Sequence, residues 1–436
     1  MSFAKPIRNS PRRGLPPYLY SGAVQLPRPK RLLALIGLVA LLGFGLPACL
    51  DHFAAPSPNL GLRGDTALEP KARGWVRAFE DDLLGHPLID VHAHLAGRGR
   101  DSDCWMSPRM ENPLRPLDFF RGRIFSAAGL PDKDAPDVAW IDHLAQLSSA
   151  MPFAARHHVL PFDQRYDQQG RANPEGSDFF VPNDWALFAE ERHPKQLVAA
   201  ASIHPLRSDS LEELRRVAAR GVRVVKWLPS AQGIELGDKR LLPFYAESAR
   251  LGVWLLIHTG TEGAVGEIDQ NHLNNPLLVR AALDGGAKVI VGHCAAGGLA
   301  QDLDDPSLPM VPAVHLFLRL LDERGGEGRL LGDISTICNV NHFAVALPAI
   351  LSRPDLHGML VNGSDWPLPA VGPLIMLWPL ERAGFLDKGD REVLQGIFAS
   401  NPLLFEVLLK SRVHLPESQL RLDPVVFRAR PELGLE

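Results

Sequence analysis

The chain has 436 residues, of which 46% are hydrophobic and 22% charged, with a formal net charge of −4. That balance is expected of a soluble globular protein, and the length allows one large barrel domain or two average domains. With 46 basic against 50 acidic residues, no basic excess points to nucleic acid and no acidic tail points to a cationic partner.

In chain order, the first feature is a basic cluster, Arg8, Arg12, Arg13, Arg28, Lys30 and Arg31, followed by an uncharged stretch from Leu32 to Leu50. Basic region, apolar core and small-residue exit are the order of a secretory signal. The exit Leu46-Pro47-Ala48-Cys49 resembles a bacterial lipobox, in which Cys49 would carry lipid, although proline at its second position departs from that pattern. The alternative is an uncleaved membrane anchor, since the apolar run just reaches the ~18–20 residues that span a bilayer. Residues 1–50 are thus read as a signal peptide or lipoprotein signal or as a membrane anchor, and either version places the protein in the bacterial cell envelope, membrane-attached and facing the periplasm. The other cysteines, Cys104, Cys294 and Cys338, form no zinc-binding pair and no disulfide framework with it.

Residues 51–74 are rich in Pro, Gly and Ala and read as a tether. From about residue 75 short apolar β runs alternate with helical stretches, which argues for parallel strands with helical crossovers. Strands are expected at Leu88–His94, His158–Pro161, Leu197–His204, Val222–Leu228, Val253–His258, Lys288–His293, Leu330–Ile334 and Met359–Gly363. Eight such units favour an α/β (β/α)₈ barrel over residues 75–414, with an open doubly wound sheet as the alternative. In one unit, Ser210-Leu211-Glu212-Glu213 fits a capping box with Ser210 as N-cap, and Gly221 suits the C′ position. The segment from about Ala96 to Asp137 breaks the rhythm after the first strand and reads as a lid over the barrel mouth. Residues 415–436 read as a polar tail.

The chemistry-bearing residues lie at strand ends. In Asp90-Val91-His92-Ala93-His94 the two histidines are two apart and share a strand face, a chelate suited to a borderline divalent ion. Val253–Ile257 ends in His258, Val289–Gly292 in His293, and Met359–Ser364 in Asp365. Imidazoles and a carboxylate at the C-terminal ends of separate strands converge in a barrel. Around them, Glu262 and Asp269 follow the fifth strand, and Arg98, Arg109 and Arg115 offer bidentate pairing to a substrate carboxylate. His204 closes the third strand; His157, His158, His272 and His342 have less support.

These pieces resemble the amidohydrolase superfamily, in its amidohydrolase-related branch of metal-dependent hydrolases and decarboxylases. The resemblance rests on Ile89-Asp90-Val91-His92-Ala93-His94, Gly221–Lys226, Ile257-His258-Thr259-Gly260, Val291-Gly292-His293-Cys294, Gly332-Asp333-Ile334-Ser335, Gly363-Ser364-Asp365-Trp366-Pro367 and Asn401-Pro402, in order along the chain. It implies that His92, His94, His258 and Asp365 hold a divalent metal, and that His293 binds metal or assists catalysis. It also implies that Lys226 is either an ordinary lysine beside one ion or a carboxylated bridge between two; one ion is assumed. Zinc suits imidazole and carboxylate, and manganese is compatible.

The expected reaction is hydrolysis of an amide, ester or lactone in a small-molecule substrate. The metal activates water, Asp365 moves the proton, and the metal or His293 stabilises charge on the carbonyl oxygen. The alternatives are non-oxidative decarboxylation at the same constellation and a non-catalytic envelope binding lipoprotein. The sequence leaves the oligomeric state open.

Overall fold

The computed structural model describes residues 68–115, 117–119, 121–122, 136–431 and 434–435. The apolar segment and Cys49 lie outside them. The eight expected strands form as β1 (Leu88–His94), β2 (Ala155–Leu160), β3 (Leu197–Ala199), β4 (Val224–Trp227), β5 (Trp254–Ile257), β6 (Lys288–Val291), β7 (Leu330–Asp333) and β8 (Leu360–Val361). Most are shorter than their apolar runs, because the last residues of those runs leave the ladder to build the mouth.

The pairing runs around a closed ring. β1, β2 and β3 pair in parallel, as do β4 through β8. The two arcs join where Ala201 bridges Val225, with Ala201 N–H on Val224 O at 2.9 Å and Lys226 N–H on Ala201 O at 2.7 Å. They join again where Val91 N–H meets Asn362 O at 3.0 Å and Ala93 bridges Trp366. Closure excludes the open doubly wound sheet.

Side chains fill the ring rather than leave a pore, as barrel packing requires. Ile89, Val91, Leu160, Val224, Trp254, Leu256, Ile290, Leu331 and Val361 form one buried interior cluster. The outward faces of the strands pack under the helices in a second, larger cluster. Helix α1 (Pro70–Asp82) precedes β1, and the principal crossover helices are α2 (Val138–Ser149), α3 (Asn183–Arg192), α4 (Ser210–Ala219), α5 (Leu242–Leu251), α6 (Arg280–Asp284), α7 (Ala313–Arg324) and α8 (Phe343–Leu351). After β8 come α9 (Leu377–Arg382), α10 (Asp390–Ser400) and α11 (Pro402–Arg412).

Three local expectations change. α4 begins after Asp209, not Ser210, and no side chain caps it. Arg207 grips the Asp209 carboxylate at 2.9 and 2.7 Å, and Ser210 is drawn into the first turn. The Glu213 carboxylate turns instead to Asn183 and Arg216. The other end of α4 forms as expected: Gly221 has φ +99°, Gly221 N–H bonds Ala218 O and Val222 N–H bonds Val217 O, the Schellman arrangement.

Structure also starts earlier than residue 75. Pro70 opens α1 at its first turn, where a missing N–H costs nothing, and Leu68 and Ala72 are buried. At the other end, residues 415–436 carry more than a polar tail. Asn362 N–H bonds Val426 O at 2.8 Å, Ala429 N–H bonds Pro87 O at 2.9 Å, and Ala429 and Leu435 complete the barrel's interior cluster. This segment closes the barrel at the end where the strands begin.

Candidate metal centre

The first two site residues owe their direction to a break in β1. Pairing between β1 and β2 shifts register between Asp90 and Ala93. Ile89 and Val91 pack in the barrel interior, so unbroken alternation would send His92 the other way. The break reverses the alternation, as a bulge does, and His92 takes an inward place, fully buried. Asp90 stays behind to tie strands together. Its Oδ1 accepts from His92 N–H at 3.0 Å and Ser364 N–H at 2.8 Å, and its Oδ2 faces His157 Nδ1 at 2.8 Å.

At the mouth His92, His94 and Asp365 come together. His92 Nε2 is 3.2 Å from His94 Nε2 and 3.4 Å from Asp365 Oδ1, and His94 Nε2 is 3.2 Å from that same oxygen. Donors bound at roughly 2.0–2.1 Å around a tetrahedral ion stand roughly 3.3 Å apart, so this near-equilateral triangle fits a divalent metal. His92 is oriented for it. Its other nitrogen, Nδ1, is 3.0 Å from Asp333 Oδ2, the carboxylate partner that leaves the metal-facing nitrogen unprotonated. His92, His293 and Asp333 form a second close group, but there the carboxylate serves as hydrogen-bond acceptor to His92.

Lys226, fully buried on β4, places Nζ 2.8 Å from His92 Nε2, and burial lowers its pKa to about 8. His258 stands beside the triangle rather than in it. Its Nδ1 is 3.0 Å from His293 Nε2, and its Nε2 is buried without a hydrogen-bond partner, 3.5 Å from Glu262 Oε2. His293 is anchored by Ser335 Oγ, 2.7 Å from its Nδ1. Burial depresses His94 to about 4 and His293 to about 3, and drives His258 well below its ordinary value. All three are thus neutral near pH 7, the state a metal ligand needs. Asp365 is held well below the usual carboxylate range: burial raises it, but its electrostatic interaction with the His92 and His293 imidazoles and the hydrogen bond from His94 outweigh that.

A cavity of about 310 Å³ opens over these groups. His94, Lys226, His258, His293 and Asp365 line it, together with an apolar wall that includes Phe162, Phe179, Leu228, Val265, Leu368 and Leu374. Glu262 also lines it, with burial raising its pKa, and its carboxylate accepts from Ala264 and Val265 N–H.

The three arginines singled out in the sequence are not among its lining residues. Arg109 pairs with Asp178, Arg98 Nε lies 3.7 Å from Glu111, and Arg115 is largely exposed, 3.7 Å from Asp118. The arginine that does line the cavity is Arg121, which sequence reading passed over. Its guanidinium is turned to the carbonyls of Gly263 and Gly266, both at 3.0 Å. Asn339, Thr336 and His342 also line it, and His342 Nδ1 lies 3.1 Å from Thr336 O.

The remaining candidates sit elsewhere. His204 is buried between Leu206 N–H and Gln232 O, His157 bonds Asp90 and Ser148, and His158 is buried. His272 bonds Asp269 O, and Asp269 is exposed. Cys104, Cys294 and Cys338 are free and buried.

A family model described as amidohydrolase matches residues 89–325, and the chain belongs to that family. Its members bind divalent metals, in keeping with the His and Asp groups at this mouth. No curated protein matches the chain. Among solved structures, it is similar to a candidate 2-pyrone-4,6-dicarboxylic acid hydrolase from Pseudomonas putida, at 20% identity over 80% of this chain and 98% of that one, with a TM-score of 0.42. It is also similar to an uncharacterised TIM-barrel protein from Bordetella bronchiseptica, at 15% identity over 74% and 99%, TM-score 0.42. A third is 5-carboxyvanillate decarboxylase from Sphingomonas paucimobilis, at 13% identity over 72% and 96%, TM-score 0.38.

Proposed function

We propose that the protein is a metal-dependent hydrolase acting on an uncharged, largely apolar ester, amide or lactone. The observation that carries this reading is the cavity wall: it is mostly apolar, and its one arginine among the described residues is committed to two backbone carbonyls. Among the described residues a substrate carboxylate would find no uncommitted guanidinium fork there, which weighs against decarboxylation of an aromatic acid.

His92, His94 and Asp365 would hold the ion, with His258 and His293 the further imidazoles that line the cavity. A bound divalent ion supplies Lewis acidity, acidifying water and polarising the carbonyl. Asp365, ionised at neutral pH, takes the proton and returns it to the leaving group. His293, fixed by Ser335 and lining the cavity, would help stabilise the developing charge on the carbonyl oxygen once its Nε2 is freed from His258. Of the described residues in the stretch read as a lid, Leu117 and Arg121 line the cavity, which supports that reading.

The basic cluster, the apolar run and the lipobox-like exit at Cys49 support an envelope location with attachment through the N-terminal segment. Cys49→Ser would then change the mature mass if Cys49 is lipidated, and leave it unchanged if the segment is an uncleaved anchor.

The reaction type is tested with an active substrate in H₂¹⁸O. Oxygen-18 in the product without gas release is expected. Release of CO₂ with solvent deuterium on carbon would replace hydrolysis by decarboxylation.

A further inference from the structure

Beneath the metal-facing aspartate lies a charged pair that the reaction does not use. Lys410 and Glu406, one turn apart on α11, are ion-paired with side chains only 1% and 4% exposed. Lysine and glutamate are almost never so buried without a specific arrangement of partners. Here the ammonium has two more acceptors, and both belong to the segment that carries Asp365. Lys410 Nζ donates to Gly363 O at 2.6 Å and to Asn362 Oδ1 at 3.0 Å. Asn362 in turn donates through Nδ2 to Ile89 O at 2.9 Å, on the strand that carries His92 and His94.

This segment needs holding. β8 ends at Val361, and the chain then departs from strand geometry to reach Asp365 at φ +57°. A non-glycine residue there is strained and persists only when its surroundings over-determine it. Gly363 is pressed so close to β1 that a Cβ would stand 2.8 Å from His92 Cβ. On the β1 side, Asp90 holds Ser364 through its N–H and hydroxyl. On the α11 side, Lys410 holds the carbonyl of the preceding residue.

We propose that Lys410 is a positioning residue for the metal centre: by clamping the Asn362–Gly363 peptide to α11 it aims the Asp365 carboxylate at the point shared with His92 and His94. Glu406 balances its charge in the interior. Second-tier contacts of this kind hold ligands within the narrow geometry that tight metal binding requires. The inference rests on the metal-centre reading, and wild-type titration separates the two: a wild type that binds no Mn²⁺ sinks the metal reading itself.

The test is Mn²⁺ titration of the purified protein, followed by the ion's EPR signal, with thermal unfolding of the metal-free protein as control. Lys410→Met alone leaves Glu406 buried and uncompensated, so the variant of choice is the double, Glu406→Leu with Lys410→Met. Replacing a buried ion pair by apolar residues of similar volume is often neutral for stability. Expected is a folded protein with a metal-free midpoint near wild type, a dissociation constant for Mn²⁺ raised at least ~10-fold and a broadened EPR signal. Glu406→Gln, which keeps Lys410 on its two acceptors, should bind Mn²⁺ nearly as wild type. If the double variant does not fold, Lys410→Gln is read the same way. Wild-type Mn²⁺ affinity and EPR signal in a folded variant lacking the ammonium would overturn the assignment.

Discussion

Asp333 on β7 and His92 on β1 are 241 residues apart in sequence and meet with Oδ2 3.0 Å from Nδ1, both side chains fully buried. The contact decides which imidazole nitrogen carries the proton. Ser335 N–H and hydroxyl both donate to Asp333 Oδ1, so that oxygen is committed and Oδ2 is left for His92. In Asp333→Asn the same two donors would select the amide oxygen and turn the NH₂ group towards His92 Nδ1. Two donors would then face each other, and His92 would move its proton to the nitrogen that faces the metal. We expect metal affinity to fall roughly 10–100-fold, the usual cost of losing such a partner. Calorimetric titration with Zn²⁺ or Mn²⁺ checks it, and unchanged affinity would mean that Asp333 does not set the tautomer.

Removing the imidazoles themselves should have a larger effect. The double substitution His92→Ala and His94→Ala takes two of the three donors from the triangle. The purified protein is expected to bring about one equivalent of divalent metal, and the double variant essentially none. Elemental analysis after exhaustive dialysis measures this. Stoichiometric metal in the double variant would place the ion elsewhere in the mouth, with His258 and His293 the next donors to examine.

The strand ends were legible because each apolar run stops at a residue that cannot belong to a core: His94, His258, His293, Asp365. The inward turn of His92 was less so. Simple alternation predicts that His92 and His94 share a face, which holds, but the break after Asp90 sets which face, and no local residue announces it. The arginines misled because guanidinium exposure is a tertiary property. Arg109 is occupied by Asp178, 69 residues away, and nothing near Arg109 in sequence foretells it. Arg121, Asn362 and Lys410 went unremarked for the same reason, as their partners lie 142, 273 and 48 residues off. The closing role of Ala429 and Leu435 was hidden by sparse apolar residues in a polar stretch.

Acid should remove the stability that one ion pair beside α7 contributes. Arg319 on α7 grips Asp302, just after the short strand Leu299–Gln301 that follows β6, at 2.7 and 2.6 Å. Those hydrogen bonds hold the Asp302 carboxyl at about 2, against roughly 3.9 in an unfolded chain. The folded value is the lower one, so the pair contributes stability above about pH 4 and loses it as pH falls towards 2. Asp302→Asn should therefore unfold at a slightly lower temperature than wild type at pH 7, and the difference should shrink as pH falls through 2 and vanish below it. A temperature gap that stays constant across this range would show that the pair contributes no pH-dependent stability.

Asp365 has two duties that a single substitution can separate. Its Oδ1 is shared between His92 and His94, the place of a ligand, and its carboxylate stays ionised at neutral pH, the state of a proton acceptor. Asp365→Asn keeps the shape and one oxygen lone pair for the ion but removes the basicity. Metal affinity should fall, and saturating metal should restore occupancy. Turnover should not return with it: kcat at full occupancy is expected to remain at least ~10²-fold below wild type, the low end for a lost general acid–base. KM should change less, because the apolar wall that would bind substrate is untouched. The measurement is kcat and metal content on the same sample across a metal titration. Recovery of near-wild-type turnover once the site is filled would make Asp365 a ligand only, and the proton would have to travel through His293 or Lys226.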